Sequence, residues 1–218
     1  MSFRTMSSNS NKRERLDQKL RTRAHLLRVA RELVSEGKTP SIAAVADAAK
    51  VSRATAYRYF PNPEALLAEV PLDLAAPTVA SLFGDDAPTD PEDRVALVQN
   101  ALYDLSRDHE SELRLFLRAS IARSRQDPDR SGDPFRGAHR VALLDEALRP
   151  LADELTGEEL QQLKTALAIL VGGESLIVLR DVLRLGHDEA RARAERAVRQ
   201  LVRAARHRSD LPRQAPAG

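Results

Sequence analysis

Five side chains able to meet an anion or a base edge, Arg53, Thr55, Tyr57, Arg58 and Tyr59, fall within the run VSRATAYRYFPNPEALL, Val51 to Leu67. The 218 residues hold only 3 Tyr, 5 Phe and no Trp, so two tyrosines interleaved with two arginines need a reason. A guanidinium forks onto phosphate or guanine, and phenol and threonine hydroxyls bond phosphate oxygens. Wound as a helix at about 100° per residue, the run puts Ala56 and Phe60 on one face. Ala54, Tyr57 and Arg58 point away from that face, with Arg53, Thr55 and Tyr59 on the flanks. Small Ala54 lets such a helix come close to bases. The plainer reading of the same residues is that Tyr57 and Tyr59 cover a small core.

The elements around this run fit a recognition helix. From Thr22, Leu26, Ala30, Leu33 and Val34 recur at helical spacing until Gly37. Ser41 is an N-cap for a short second helix, Ile42 to Ala49, whose Ile42, Val45 and Ala49 share a face. Lys50 and Val51 turn the chain and Ser52 caps the third helix. Two short helices joined by so tight a turn predict a helix-turn-helix unit. Asn62 as N-cap and Pro63 at the first helical position start a fourth helix.

Charge is partitioned along the chain. Residues 1 to 60 carry 13 Lys and Arg against 5 Asp and Glu, and residues 61 to 218 carry 21 against 27. A basic front on an acidic body suits an anionic partner for the front alone. Residues 1 to 20, Ser/Asn-rich and then charged, read as a disordered basic arm. With no Cys there is neither a thiolate metal site nor a thiol nucleophile. The five His lack metal-ligand spacing, and no GxGxxG, P-loop, HExxH or GxSxG motif is present, so neither an enzyme nor a cofactor is expected. The N-terminus has no apolar signal stretch, and the most apolar segment, Ala166 to Leu179, is short and contains Glu174. The expectation is a cytoplasmic protein with no membrane partner.

Arg23 to Leu67 resembles the DNA-binding domain of TetR-type bacterial transcriptional regulators: the LL and A of the first helix, the Gly after it, VADAA, VS, YRYF and EALL stand in the family's order and spacing. The resemblance implies phosphate contacts from Ser41, Tyr57 and Tyr59 and base or backbone contacts from Ser52, Arg53, Ala54 and Thr55. Arg58 on the outward face and Arg23 of the basic arm complete the expected DNA surface. The sequence departs from the family at three places. Lys50 replaces a turn Gly, Ala54 and Ala56 replace Gly and Leu, and Pro63 replaces a phosphate-binding Lys. The arm cations Lys12, Arg13, Arg15, Lys19, Arg21 and Arg23 are expected to supply part of the affinity.

Beyond Val70 the pattern becomes longer helices. Pro71, Pro77, Pro88 and Pro91 bracket a connector that marks the domain boundary between Val70 and Asp90. Val95, Val98, Leu102 and Leu105 form one stripe; Leu113, Phe116, Leu117, Ser120 and Ile121 form another. DPDRSGDP reads as a loop, with Asp133 capping and Pro134 opening the next helix, which Pro150 bends or ends. Thr156 and Glu159 make a capping box for a long helix to Leu185, in which Gly172 and Gly173 permit either close helix approach or a kink. The last helix, Asp188 to Arg206, is Arg-rich on one side, as a solvated face or a second nucleic-acid patch. Glu174 and Asp181 interrupt the apolar stripe, either beside an effector or paired with Arg.

The expected fold is all-α: a three-helix DNA-binding domain with a helix-turn-helix (21–70), and a helical bundle (71–208) for ligand binding and dimerisation, ending in a disordered tail (209–218). In the resembled family the last two helices pair with a twofold mate, which implies a homodimer seam of Leu163, Leu167, Leu170, Val171, Ile177, Val178, Val198 and Leu201. Tyr103, Phe116, Arg118, His139 and Glu174 are candidate pocket residues for a small-molecule effector. The functional expectation is a repressor on a palindromic operator in double-stranded DNA; the alternative is a DNA-binding protein without a small effector.

Overall fold

The computed structural model describes residues 4–126 and 138–209, entirely as helices and connections. They form two units, Met1–Ala75 with Ser111–Arg136, and Ala76–Glu110 with Gly137–Gly218.

The first unit begins with α1 (Arg4–Ser35), followed by α2 (Ile42–Ala48), α3 (Arg53–Tyr59) and α4 (Pro63–Ala75). Its core joins Leu26, Leu27, Val29 and Ala30 of α1 to Ile42, Val45 and Ala46 of α2. Ala56, Tyr59 and Phe60 enter from the α3 side, and Leu66 and Val70 from α4. Val34, read as part of the α1 stripe, is exposed because the helix has run past its partners. Gly37, at φ 78°, lets the amides of residues 37 and 38 fold back onto the carbonyls of Val34 and Leu33. α7 (Glu110–Gln126) belongs mostly to this unit, although the sequence reading assigns it to the regulatory domain.

Two boundaries differ from those expected. The arm is helical from Arg4 rather than disordered, because Lys, Arg, Glu, Gln and Leu between residues 12 and 20 are strong helix formers that extend a helix already nucleated. Pro71 lies inside α4 instead of ending it. A proline removes one helical amide donor, but burial of Leu66, Ala68 and Val70 keeps this helix packed across it. The stretch Pro63–Leu82 is also long and apolar enough to cross a membrane by length and composition. Here its first half packs Leu66 and Val70 into the core of the first unit.

The second unit holds α5 (Val79–Leu82), α6 (Pro91–Asp108), α8 (Ala138–Leu148), α9 (Gly157–Leu170), α10 (Gly173–Ile177) and α11 (His187–Ser209). α6 packs on α11 and α8, and α9 packs on α8 and α11. Asp90 caps α6 with Pro91 at the first position, and a 3-10 turn through Pro150 ends α8 as expected. Thr156 and Glu159 form the expected capping box. The expected loop at residues 127–134, with Asp133 and Pro134, lies outside the described residues, as does the tail from residue 210.

The long helix to Leu185 does not form. α9 stops at Leu170, Gly172 takes φ 119°, and α10 departs at 47° before a π turn at Val178–Val182. The Arg140 guanidinium occupies the space a side chain at Gly172 would need, bonding the Ala168 carbonyl at 2.9 Å and Glu174 at 2.6 Å. Glu174 is therefore neutralised within its own chain.

This packing places four residues of the expected seam inside their own unit. Leu163, Leu167, Val171 and Val198 are buried in the core of their own unit, and Leu170 and Leu201 are half-buried against it. Ile177 packs on the Tyr103 and Leu176 cluster, and Val178 is exposed. A helical stripe seeks any apolar partner, and here α8 and α11 of the same chain satisfy it. Four arginines of α11 likewise meet acids of their own unit. Arg191 bonds Asp104, Arg199 bonds Asp93, Arg203 bonds Glu92, and Arg206 bonds Glu154 and Asp90.

Replacing Gly172 by Ala forces a left-handed backbone on an L residue and displaces Arg140 from two bonds. It is expected to cost about 1 to 3 kcal/mol in urea unfolding.

Candidate nucleic-acid interface

α3 is seven residues long, and everything around it serves to hold it. Ser52 accepts the Thr55 amide at 3.1 Å and donates its hydroxyl to Thr55 Oγ1 at 2.9 Å, so these two hydroxyls cap the helix first. The turn before it closes with Lys50 at φ 57°, its amide reaching the Asp47 carbonyl and the Val51 amide reaching the Ala46 carbonyl. That is the left-handed stop in which glycine is usual; lysine accepts a strain of about 1 kcal/mol there. Ser41 caps α2 by accepting the Ala44 amide at 3.1 Å, and its hydroxyl proton is left to donate outward.

The inward face matches the angular expectation at Ala56 and Phe60, both buried. On the outward face Ala54 and Arg58 are exposed and Tyr57 keeps 50 % of its surface. Thr55 is half-buried. Tyr59 differs from its expected flank position. Its ring is 5 % exposed in the core of the unit, because a large ring beside Phe60 on so short a helix gains more by burial than by hydration. The Arg58 guanidinium stands over that ring at 5.5 Å.

Arg53 does not stand free. Its Nε and Nη2 donate to the two carboxylate oxygens of Asp47 at 3.4 and 2.9 Å. The bond from Arg53 holds the Asp47 carboxyl below its ordinary range, and the same bond raises the guanidinium.

Arg23 requires a correction. It is buried, its Nη2 bonds Glu69 of α4, and its guanidinium lies 5.0 Å from the Phe60 ring centre. It ties α1 to α4 and to the end of α3 and is not a surface cation. The signal was in the sequence: Arg23 stands three and seven residues before Leu26 and Ala30, on the same stripe. Glu69 and Asp47, missed as site residues, carry no comparable local signal, since their partners are 46 and 6 residues away. Of the remaining arm cations, Arg21 is exposed and Lys19 half-buried; nothing is described of the side chains of residues 12, 13 and 15.

The five pocket candidates divide between the units. Phe116 and Arg118 are on α7 of the first, where a groove of about 450 Å³ is lined by Leu115, Arg118, Ala119 and Ala122 together with Pro61, Asn62, Glu64 and Ala65. In the second unit Tyr103 is fully buried and donates to the His187 carbonyl at 3.1 Å, and desolvation raises its phenol. His139 contacts the Pro77 carbonyl, and Glu174 is held by Arg140. Among the described residues no cluster of three or more His, Asp or Glu is placed to hold a metal ion.

The chemistry available on this surface is recognition of a polyanion by exposed arginine, tyrosine and capped helix ends. Residues 26–70 match the profile of the bacterial regulatory proteins of the tetR family. No curated protein and no solved structure matches the chain.

Replacing Arg23 removes the cation that Glu69 meets inside the unit. Arg23→Ala is thus expected to lower unfolding stability by about 3 kcal/mol, read by thermal and urea melts. A surface cation would leave the melts unchanged.

Proposed function

We propose that the chain is a TetR-type DNA-binding transcriptional regulator, a cytoplasmic repressor released from a palindromic operator by a small molecule; the match of residues 26–70 to the tetR-family profile supports the DNA-binding part of this reading. The observation that carries this reading is the outward face of α3. Ala54, Tyr57 and Arg58 are exposed beside Arg53, on a helix whose opposite face is anchored in the core. In this reading Tyr57 and Ser41 bond phosphates, Arg53 and Thr55 face the base edges, and Ala54 allows close approach. It acts by binding and needs no catalytic group.

One helix-turn-helix reads few base pairs, so genomic selectivity calls for two, and a twofold dimer calls for a palindrome. Support for a second copy as partner comes from the second unit. Ile169 is 72 % exposed, and Val178, Val182 and Leu183 are each more than half exposed. A groove of about 400 Å³ between α9 and α11 is lined in part by Ala166, Ala204, Ala205 and the half-buried Leu201. In this reading the effector enters the groove beside the start of α4, where Leu115 offers apolar surface and Arg118 a cation. A ligand there bears on the helix that directly follows the recognition segment.

Tyr57→Phe is expected to weaken DNA binding about tenfold on every duplex alike, measured by fluorescence anisotropy at fixed salt. Ile169→Arg, whose site lies outside the core, should melt like wild type yet run as a monomer in light scattering and lose cooperative binding to the palindrome. A wild-type monomer would exclude the twofold arrangement. For the effector, small apolar anions that raise the melting temperature of the protein should release labelled DNA, and Arg118→Ala should remove both effects. Stabilising compounds that leave the DNA complex intact would favour a regulator without a small-molecule inducer.

A further inference from the structure

The outward face of α3 carries an ion pair that the helix-turn-helix fold itself does not require. Asp47 sits in the last turn of α2, where the carbonyl end of the helix disfavours an anion. Arg53 opens α3, where free amide N–H groups disfavour a cation. Each is poorly placed alone, and together they satisfy one another across the turn. Their side chains are 60 % and 65 % exposed, so the pair contributes little to folding. What it does control is the direction of the guanidinium.

We propose that Asp47 is a specificity-determining residue that holds Arg53 by one edge so that the other edge reads a guanine. The inference rests on the docking face proposed above. A guanidinium has five N–H donors arranged as two forks. The side-on fork of Nε and Nη2 is engaged by Asp47 at 3.4 and 2.9 Å. The end-on fork, one Nη1 hydrogen and the second hydrogen of Nη2, keeps two parallel donors with the spacing that guanine O6 and N7 accept. An arginine held in this way loses less rotamer freedom on binding than one released from solvent. The Asp47 charge acts in the same direction. It repels phosphate oxygens, so Arg53 is kept from the sequence-independent backbone contact that an unpaired arginine on this face would make. Discrimination is thereby raised and non-specific attraction lowered.

The test uses the full chain and a library of duplexes randomised over about 30 base pairs. Wild type, Arg53→Ala, Asp47→Asn and Asp47→Glu are each taken through affinity selection. The wild-type consensus duplex, its single-pair variants and a scrambled duplex are then titrated across a salt series. Arg53→Ala is expected to erase the preference for one G·C pair in each half-site. Asp47→Asn should weaken that same preference about tenfold, within the range of one bidentate contact. It should also bind the scrambled duplex more tightly, with a salt slope steeper by about 0.9, the value of one added phosphate contact. Asp47→Glu should retain weak scrambled binding, because the charge stays, while losing part of the G·C preference, because the reach changes. Melting temperatures should be unchanged for all three. If Asp47→Asn keeps the wild-type preference at the pair that Arg53→Ala erases, the role of Asp47 is overturned and the docking face stands. If Arg53→Ala selects the wild-type consensus, the docking face fails and this inference fails with it.

Discussion

A seven-residue helix is not stable in water by itself, and the recognition segment α3 is such a helix. Its existence depends on burial of three consecutive contributors to one face, Ala56, Tyr59 and Phe60, against α1, α2 and α4. The buried Arg23 extends the same dependence. By meeting Glu69 and the Phe60 ring together, it links the first helix, the fourth and the end of the third. Losing that link would loosen the angle at which the outward residues are presented.

The charge partition seen along the chain has a structural counterpart. The arginines of α11 meet the acids of α6 in successive pairs, from Arg191 with Asp104 to Arg206 with Asp90. Each such pair near the surface adds little stability, but the series neutralises a helix that would otherwise be strongly basic. Among the described residues of the first unit, Arg58 stands over the Tyr59 ring and Arg53 is met by the carboxylate of Asp47. The polar face of α3 thus keeps cationic character where the C-terminal helix has lost it.

The break at Gly172 redirects the most apolar stretch of the chain. Before it, Leu163 and Leu167 turn inward; after it, Leu176 packs with Tyr103, and Val178, Val182 and Leu183 come to the surface. Arg140 fixes the bend by bonding on both sides of it, to the Ala168 carbonyl and to Glu174. A straight helix would have carried one continuous stripe. The bend divides that stripe into a part that closes the core of its own unit and a part that is exposed.

Much of this was legible from residue order. Caps, turns and helical stripes are local, involving neighbours within about four positions, and Ser41, Ser52, Asn62 and Thr156 all cap where the sequence places them. The left-handed turn at Lys50 and the inward pair Ala56 and Phe60 follow from the same short-range rules. Which acid meets Arg23, whether Tyr59 stays on a flank, and which acid holds Arg53 were decided only by the tertiary structure. Periodicity states that a face must be covered and a charge compensated. The partner that does so is chosen by packing between residues far apart in sequence, and spacing along one helix carries no record of it.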